Sequence, residues 1–512
     1  MATREEKSRL LPKIPWVWIS VAVGCYCFFA WIYSFFGGGF CGDEGFYALA
    51  ARNVLEGMKP YRDFGLSQMP LMPYWYGAWF ALVGSSIEAG RVLSAAMGAG
   101  SVALIGLACY RRGGRIAGIV GALLIGCNLH FIIDTLAIKT QSLTVFLTSC
   151  AIFVLAKPNA RRPLLQAALA MLFLTLALLS RLSILPMLLL LWLYLGWKLR
   201  RSLGAFAALW LVNLAVLAGV YAFFRSEGNM VYWILQFHQE YSNFQPWTWE
   251  RLVPTIHSWL GNELAIILFF FCATWVFVAK LVRGKRFLED DTLLFLAFLL
   301  LSYWGATALH WMNVQSYATH QTSIIAFAVV FGAVGMAPLL EKLCTEDKGL
   351  WAFAFAALLW LTPSLGEIGM TLAINLEGNQ AMKGIHEASS ILRQYAKEGD
   401  SILSFSSELA VNGGYKVPSG YEVNEFGYFP GMTDERCAKL HTLNLKKLSE
   451  DISSGKHKIL CIEDRLFSLM AAQNQEIAGQ LKQRIDQRYR QVGVVKNYGQ
   501  FNLTLYIFAL RE

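Results

Sequence analysis

Residues 16–36 have the sequence WVWISVAVGCYCFFAWIYSFF, which is apolar over its whole length apart from Ser20 and Ser34. It contains no charged side chain, and about 20 mainly apolar residues are enough for a helix to cross the hydrocarbon layer of a membrane. Similar runs recur along the 512 residues, which are 56% hydrophobic and 15% charged, whereas a soluble domain carries about 25% charged residues. The run is too long for a cleaved signal peptide and lacks a small-residue cleavage site. The sequence therefore predicts an α-helical polytopic membrane protein.

About eleven transmembrane helices meet this length criterion. They lie at residues 15–36, 89–110, 116–130, 140–156, 164–180, 182–197, 203–224, 263–282, 292–309, 321–340 and 350–374. Two long segments, 37–88 and 225–262, then fall on the same side of the membrane. We expect residues 1–375 to form the transmembrane module and residues 376–512 to form a separate domain on that same side.

The net charge of +9 reflects membrane topology rather than a nucleic-acid partner. Nineteen Lys and Arg residues fall in the segments on the N-terminal side of the membrane, and eight fall in the opposite membrane segments. The basic side is cytoplasmic by the positive-inside rule. We therefore expect a bacterial inner-membrane protein with a cytoplasmic N-terminus, surrounded by membrane lipids. Both long segments and the C-terminal domain would be periplasmic.

The C-terminal region is polar and alternates strand-like with helix-like patterns, which predicts a small α/β domain. Strands are predicted at 401–406, 458–463, 491–496 and 503–509, and helices at 380–397, 434–452 and 466–488. Thr433 is a plausible cap for the second helix. Cys437 and Cys461 could form a disulfide, although spacing alone does not show that their Cβ atoms meet.

The most informative polar stretch is Gly42-Asp43-Glu44-Gly45-Phe46-Tyr47, in the first outer segment. Apolar residues repeat from Phe46 at helical spacing, and Gly57 followed by Pro60 ends the pattern. We expect a short amphipathic helix that begins at Asp43 and lies along the outer membrane surface. Asp43 then has two compatible roles. It can cap the helix, or it can act as a general base that takes a proton from a hydroxyl group.

The first outer segment carries an ordered set of residues beyond this acidic pair. They are Asp43-Glu44-Gly45-x-Tyr47, Ala51, Leu55-x-Gly57, Pro60-Tyr61-x-Asp63, Pro70-Leu71 and Gly84-x-x-x-x-Ala89-x-Arg91, followed later by Leu178-Leu179-Ser180-Arg181. Over residues 40–185 this set resembles the opening signature of the membrane-embedded, lipid-linked-sugar glycosyltransferases of the GT-C class. It is most similar to the Rgt-like branch, which is related to the protein O-mannosyltransferases and the aminoarabinose transferases of lipid A.

The resemblance implies a GT-C-like fold, a polyprenyl-phosphate sugar donor and an acidic catalytic residue in the first outer loop. Carried onto this chain, Asp43 is the base and Glu44 is its neighbour, with a structural role favoured. One departure matters. The aminoarabinose transferases carry a Glu-Lys pair just before the Pro-Leu, whereas this chain has Ser67-Gln68. That difference argues against aminoarabinose transfer and against the acid-dependent metal site suggested for those relatives.

Three further candidates for substrate binding are charged residues near the outer ends of spans. Asp134 and Lys139 fall in the second outer turn, where relatives carry a second acid. Asp134 could therefore orient the acceptor, or it could simply end a helix at the interface. Arg181 lies between two apolar runs, so its guanidinium could bind the donor phosphate through two parallel hydrogen bonds, or reach the outer headgroups.

The remaining candidates for substrate binding share only their predicted outer position. They are Glu44, Tyr47, Arg62, Asp63, Gln68, Arg251, His310, Tyr317 and His320. Arg62 and Arg251 would stabilise the leaving phosphate, and the two histidines would bind pyrophosphate or sugar. The histidine spacing matches no zinc pattern, and polyprenyl phosphate is a good leaving group, so we predict neither a metal nor another cofactor. The aromatic segment 232–249 predicts an interfacial belt or, alternatively, a lid over the sugar or lipid tail.

The sequence therefore favours an inverting glycosyltransferase that moves a hexosyl or pentosyl group from a polyprenyl-phosphate donor to a hydroxyl of a lipid, glycan or protein. The C-terminal domain would help to admit or orient the acceptor. Two rivals stay open. A lipid-linked-sugar flippase or transporter tends to place charged or helix-breaking residues in the middle of the membrane. A non-catalytic scaffold would use the outer domain to bind a partner.

The charge distribution predicts that the C-terminal domain lies outside the cytoplasm. A reporter enzyme that is active only in the periplasm should therefore be active when fused after Glu512, and silent when fused after Arg201 in a predicted cytoplasmic loop. A well-expressed but inactive fusion at the C-terminus would contradict this topology.

Overall fold

A computed structural model describes residues 15–35, 43–158, 162–243, 248–283, 288–312, 318–345, 381–464, 475–499 and 503–511. The predicted span 350–374 and the predicted domain boundary after residue 375 lie outside the described residues. So do Tyr317 and the side chain of Arg251, which were candidates for substrate binding.

Thirteen of the described α-helices belong to the N-terminal part of the chain. They are α1 Pro15–Phe35, α2 Asp43–Leu55, α3 Leu71–Val83, α4 Ile87–Gly126, α5 Leu129–Leu136, α6 Thr140–Leu155, α7 Pro163–Ser180, α8 Leu185–Lys198, α9 Leu203–Phe224, α10 Phe237–Asn243, α11 Trp249–Val282, α12 Asp291–Met312 and α13 Ile325–Thr345. Short helical turns at Leu182–Ile184, Ser226–Gly228, Asn229–Val231, Tyr232–Gln236 and Ala318–Ile324 connect or extend them.

Seven described helices are long and apolar enough to cross a membrane, and the bent pair α5–α6, whose axes turn by 113°, would make an eighth span. The multi-pass membrane architecture predicted from the sequence is confirmed. The periphery of the bundle has the expected apolar character: on α9 only Asn213 and Phe224 are buried. In contrast, α13 is the central helix, and almost every side chain from Ile324 to Val334 is buried.

Helix α4 is two helices joined by a sharp turn. Gly114 has φ 83° and ψ −171°, values outside the helical region. On either side of it, Gly118 packs against Tyr110 and Gly121 packs against Cys109, so the two arms run antiparallel in close contact. The small residues allow this approach. The turn agrees with the separate spans predicted at 89–110 and 116–130.

At the end of the bundle near this turn, one carboxylate pairs with two basic residues. Asp291, the first residue of α12, accepts hydrogen bonds from Arg112 at 2.5 Å and lies 2.8 Å from the ammonium of Lys198. We call this the basic end of the bundle.

The C-terminal part is a small α/β domain built on a four-stranded sheet of order β1-β2-β4-β3. β1 and β2 are parallel, and the other two neighbouring pairs are antiparallel. Its elements are α14 Ala381–Leu392, β1 Ile402–Ser404, α15 Ser407–Gly413, α16 Asp434–Leu440, α17 Leu445–Ser454, β2 Ile459–Glu463, α18 Gln475–Arg488, β3 Tyr489–Tyr498 and β4 Leu503–Leu510. All four predicted strands are confirmed, and Thr433 caps α16 by accepting a hydrogen bond from the N–H of Arg436.

The single helix predicted at 434–452 is wrong, because the chain breaks into α16 and α17 at His441. This residue is left-handed, with φ 54° and ψ 52°. Its ring is held on both sides: Nδ1 lies 3.0 Å from the hydroxyl of Ser419, and Nε2 lies 2.8 Å from the carbonyl oxygen of Arg62. Contacts distant in sequence therefore override the local helical pattern. Cys437 and Cys461 are buried free thiols and do not form a disulfide.

Helix α2 runs from Asp43 to Leu55, and Gly57 ends the helical pattern as predicted. Gly57 has φ 86°, and the N–H of Met58 returns to the carbonyl of Asn53, which is the hydrogen bond of a Schellman C-cap. The amphipathic character expected of this helix is wrong, however. Every residue from Glu44 to Asn53 is buried, because α3 covers one side of α2 and α15 of the C-terminal domain covers another.

The C-terminal domain is held on α2 by polar contacts. The guanidinium of Arg52 donates to the backbone carbonyls of Ala410 and Tyr415. At the other end of the helix, Gly45 lies directly against Glu408 of α15. Burial raises the pKa of Glu408 to about 8, and the Tyr498 hydroxyl donates a 2.5 Å hydrogen bond to it. Glu408 is therefore largely protonated at neutral pH and can be buried against the helix.

The aromatic segment has a different role from either of those predicted. Tyr232, Trp233 and Phe237 are buried in a core shared with the C-terminal domain. The indole N–H of Trp233 donates to the carbonyl of Leu440 at 3.0 Å, and the ring of Phe237 meets Phe429 edge-on at 5.9 Å. These three side chains form neither an interfacial belt nor a lid, because they join the domain to the bundle. Residues 244–247 lie outside the described residues.

Gly45→Ala tests this domain contact. A methyl group at Gly45 would lie 2.5 Å from a carboxylate oxygen and 2.8 Å from the backbone nitrogen of Glu408, so the domain must move away. We expect the free energy of unfolding to fall by about 1–3 kcal/mol, the usual cost of overpacking, and limited proteolysis to release the domain faster. Gly219→Ala on α9, where the space is open, is the matched control. Equal proteolysis of the two variants would refute the contact.

Candidate active site

Asp43 lies at the end of the bundle that carries the C-terminal domain, which we call the domain-bearing end. It is half-buried in the first turn of α2, where the positive end of the helix dipole favours a carboxylate. Burial nevertheless raises its pKa above the ordinary value, although nearby Lys139 and Arg181 lower it in part. A carboxylate with a raised pKa is a better proton acceptor than an exposed one.

Glu44 is held in a fully buried ion pair. Its two carboxylate oxygens accept hydrogen bonds from Arg91 of α4 at 2.7 and 2.9 Å, and one of them also lies 3.3 Å from the N–H of Ile138. Removing one partner of a buried pair costs about 3–5 kcal/mol, because the other charge is left uncompensated. The pair therefore fixes the first turn of α2, and this geometry favours the structural role.

Arg181 is a buried cation that follows the last residue of α7. One guanidinium nitrogen donates to the hydroxyl of Thr140 at 3.0 Å, and Nε is buried without a hydrogen-bond partner. Among the described residues no carboxylate is within ion-pair distance of Arg181, although Asp43, Tyr47 and Asp134 are close enough to affect it electrostatically. A buried guanidinium with donors to spare is suited to bind an anion.

The bend between α5 and α6 brings Asp134 and Lys139 to the same place, and both are buried. Asp134 accepts a 2.5 Å hydrogen bond from the hydroxyl of Thr322, and His130 lies 3.4 Å from the same oxygen. Asp134 is therefore not a charge that merely ends a helix at an interface. Lys139 lies near both Asp43 and His320.

The two predicted histidines also reach this cluster. The rings of His310 on α12 and His320 in the turn Ala318–Ile324 have centroids 5.5 Å apart, and Arg181 acts electrostatically on both. The cluster thus brings together eight of the predicted residues from five elements. They are Asp43, Glu44, Tyr47, Asp134, Lys139, Arg181, His310 and His320.

Three other candidates, Arg62, Asp63 and Gln68, lie in a turn between α2 and α3 and stabilise it. Arg62 and Asp63 pair with each other through two hydrogen bonds of 2.9 and 2.7 Å, and the N–H of Lys59 donates to Asp63. Gln68 contributes its backbone carbonyl, which accepts a 2.5 Å hydrogen bond from the hydroxyl of Tyr61. These contacts shape the loop between α2 and α3, and a part in substrate binding stays a prediction for all three.

Sequence reasoning missed Glu263, Gln321 and Thr322, which are all buried at this end of the bundle. The span predicted at 263–282 begins at Glu263, so the residue reads as a span boundary. A signal is nevertheless present in the sequence, since an acid next to a long apolar run is costly unless it has a partner or a ligand. Gln321 and Thr322 lie in a polar run that gave no such indication.

The arrangement has a simple chemical capability. Asp43 can accept a proton, while Arg181 and Lys139 next to it can stabilise negative charge on a departing group. The C-terminal domain and α3 cover α2, so these groups act in a place with restricted access to water, where electrostatic interactions are stronger.

Solved structures share this fold at low sequence identity. ArnT from Cupriavidus metallidurans in the apo state superposes with a TM-score of 0.61 at 11% identity, covering 96% of this chain and 97% of ArnT. ArnT bound to undecaprenyl phosphate gives 0.61 at 12% identity, covering 96% and 98%. The archaeal oligosaccharyltransferase AglB from Archaeoglobus fulgidus, in complex with an inhibitory peptide and a dolichol-phosphate, gives 0.50 at 12%, covering 96% and 74%.

These similarities confirm the GT-C-like fold that was predicted from the first outer segment. They extend over nearly the whole chain, including the C-terminal domain. No protein-family model and no curated protein matches the chain by sequence.

Proposed function

We propose that the protein is an inverting glycosyltransferase that uses a polyprenyl-phosphate sugar donor and a hydroxyl acceptor. The observation that carries the proposal is the position of Arg181, a buried cation without a carboxylate partner among the described residues, beside Asp43. A lipid phosphate would supply the missing anion. It would also place the sugar beside the one half-buried acid of the cluster.

The chemistry follows from these positions. Asp43 takes the proton of the acceptor hydroxyl as the oxygen attacks the anomeric carbon from the face opposite the phosphate. A new C–O bond forms, the bond from the anomeric carbon to the phosphate oxygen breaks, and polyprenyl phosphate leaves with the bonding electrons. Arg181 and Lys139 stabilise the charge that grows on the leaving phosphate.

The solved structures support a lipid-phosphate donor, because ArnT was seen with undecaprenyl phosphate and AglB with a dolichol-phosphate. The substrates of ArnT and AglB are not assigned to this protein. In particular, Ser67-Gln68 still argues against aminoarabinose transfer, despite the similarity to ArnT. The acceptor is a hydroxyl of a lipid, glycan or protein.

The domain-bearing end is on the periplasmic side of the inner membrane in this proposal. The positive-inside rule supports that orientation, since Arg112, Lys198 and their neighbours lie at the opposite end. A flippase or transporter is less well supported, because the buried charged groups of the cluster that the structure describes lie at one end of the bundle. The domain boundary near residue 375 belongs to the same proposal.

Asp43→Asn tests the base. Asparagine keeps the size and the helix-capping ability of aspartate but accepts no proton, so we expect folding and donor binding to persist while turnover falls by about 10²–10⁴-fold. The measurement is transfer of labelled sugar from a polyprenyl-phosphate donor by purified protein in lipid. The acidic limb of the wild-type rate profile should lie above pH 3.8, since activity is lost as the raised pKa of Asp43 is crossed downwards.

The matched control for this experiment is Glu435→Gln, an exposed acid in the first turn of α16. Glu44→Gln is unsuitable as a control, because it would leave the buried charge of Arg91 without a partner. Full activity of Asp43→Asn would eliminate Asp43 as the base.

Arg181→Lys tests phosphate recognition. Lysine keeps the charge but lacks the planar pair of donors, so we expect weaker binding of undecaprenyl phosphate, by roughly tenfold or more, with a thermal unfolding midpoint close to that of the wild type. Affinity can be measured by titration of the purified protein with the lipid. Unchanged affinity would remove Arg181 from the phosphate site and require another cation there.

A further inference from the structure

A group of polar side chains between α11, α12 and the turn Ala318–Ile324 is buried with its hydrogen-bonding capacity largely unused. Oε1 of Glu263, the hydroxyl of Tyr303, both ring nitrogens of His310 and Nε2 of Gln321 make no hydrogen bond of good geometry with a described residue. Tyr303 has only loose contacts with Trp259 and Thr307, and His310 has one with Gln321. Each of these residues is at most 4% exposed. Such groups are rare in folded proteins, and inside a membrane each is costly unless something else satisfies it.

These atoms belong to one site. Tyr303, Thr307 and His310 recur at helical spacing along one side of α12, and the hydroxyl of Thr307 donates to Gln321 at 3.2 Å. Across from them, the other carboxylate oxygen of Glu263 accepts a 3.1 Å hydrogen bond from the indole of Trp259. Glu263 also acts electrostatically on Tyr303, so the side chains of α11 and α12 lie close together.

The site adjoins the proposed reaction centre. Asp134 acts electrostatically on both Glu263 and Arg181, and Arg181 acts on His310. A ligand whose phosphate lay at Arg181 could therefore extend directly to the unpartnered groups. Aromatic rings lie next to Glu263: the ring of Trp259, which donates to Glu263, meets Trp311 edge-on at 5.5 Å, and Trp304 meets Trp311 at 6.4 Å.

The chemistry of the unpartnered groups limits what they can bind. Glu263 only accepts hydrogen bonds when ionised, the free nitrogen of Gln321 only donates them, and His310 offers one nitrogen of each kind when neutral. A sugar ring matches this set, because its hydroxyl groups both donate and accept and its C–H faces pack on aromatic rings. A carboxylate on that ring would be buried beside the acids Glu263 and Asp134, with no cation among the unpartnered groups to compensate its charge.

We infer that Glu263, His310 and Gln321 bind the hydroxyl groups of the donor's sugar ring and select a neutral sugar over a uronic acid. This rests on the proposed function, since the sugar arrives on the lipid phosphate at Arg181. The site thereby determines which donor is used, while Asp43 and Arg181 carry out the transfer.

The test compares lipids that differ only in the sugar. Purified protein is titrated with undecaprenyl phosphate alone, with the same lipid carrying glucose, galactose, mannose or arabinose, and with the same lipid carrying glucuronic or galacturonic acid. We expect at least one neutral sugar to bind about tenfold or more tighter than the bare lipid, and neither uronic acid to do so. If no neutral sugar improves on the bare lipid, the inference is wrong.

Two variants test whether the tighter binding of the sugar-bearing lipid depends on these residues. Glu263→Gln and His310→Asn should each reduce the advantage of the best neutral sugar by about tenfold while leaving affinity for the bare lipid unchanged. Thr274→Val, which removes a hydrogen bond within α11 only, is the control and should retain the advantage. Thermal unfolding identifies a variant that fails to fold, and the other variant then decides the outcome.

The results separate this inference from the proposed function. If the advantage survives in every folded variant, the unpartnered groups bind only internal water and the sugar lies elsewhere, even though lipid phosphate binds at Arg181. If instead the wild type binds no bare lipid and transfers no sugar, the proposed function itself fails.

Discussion

The buried ion pair between Glu44 and Arg91 is the constraint on which the rest of the site depends. A carboxylate that is 1% exposed must have a cation beside it, and here the cation comes from a different helix, 47 positions further along the chain. Since Glu44 adjoins Asp43, pairing Glu44 also fixes Asp43. The direction of α2, and with it the position of the candidate base, is therefore determined from inside the bundle.

The C-terminal domain completes this arrangement from the other side. Arg52 donates to two of its backbone carbonyls, and Gly45 admits Glu408 so closely that no side chain fits between them. A helix of 13 residues would be marginal alone in water, but α2 is packed along its length and has a Schellman cap at its end. The domain thus belongs to the framework of the site, whatever part it plays in binding the acceptor.

Much of this fold could be predicted from local pattern. The apolar runs indicated the spans, and even the turn at Gly114 within α4 was anticipated, because three basic residues, Arg111, Arg112 and Arg115, interrupt the hydrophobic run there. The start and end of α2 followed from the helical spacing of its apolar residues and from Gly57. Asp43, Asp134 and Arg181 stood out because charged residues that border membrane spans are costly and need a reason.

What could not be predicted depends on contacts between residues far apart in the chain. No local signal shows that α2 would be covered by a domain more than 350 positions away, or that His441 would adopt a left-handed conformation to reach Arg62. The convergence of Glu263, His310 and Gln321 is of the same kind, since no local signal shows that these three residues meet. Helix packing alone brings their unpartnered atoms together.

In the proposed function Asp43 and Arg181 face the same phosphate-linked sugar. A crystal structure of the protein with undecaprenyl phosphate would show whether they do. We expect the phosphate oxygens to lie within about 3 Å of the guanidinium of Arg181, as charge-assisted hydrogen bonds require, and the phosphate to lie on the side of Arg181 nearest Asp43. A phosphate bound at the basic end, beside Arg112 and Lys198, would contradict these roles of Asp43 and Arg181.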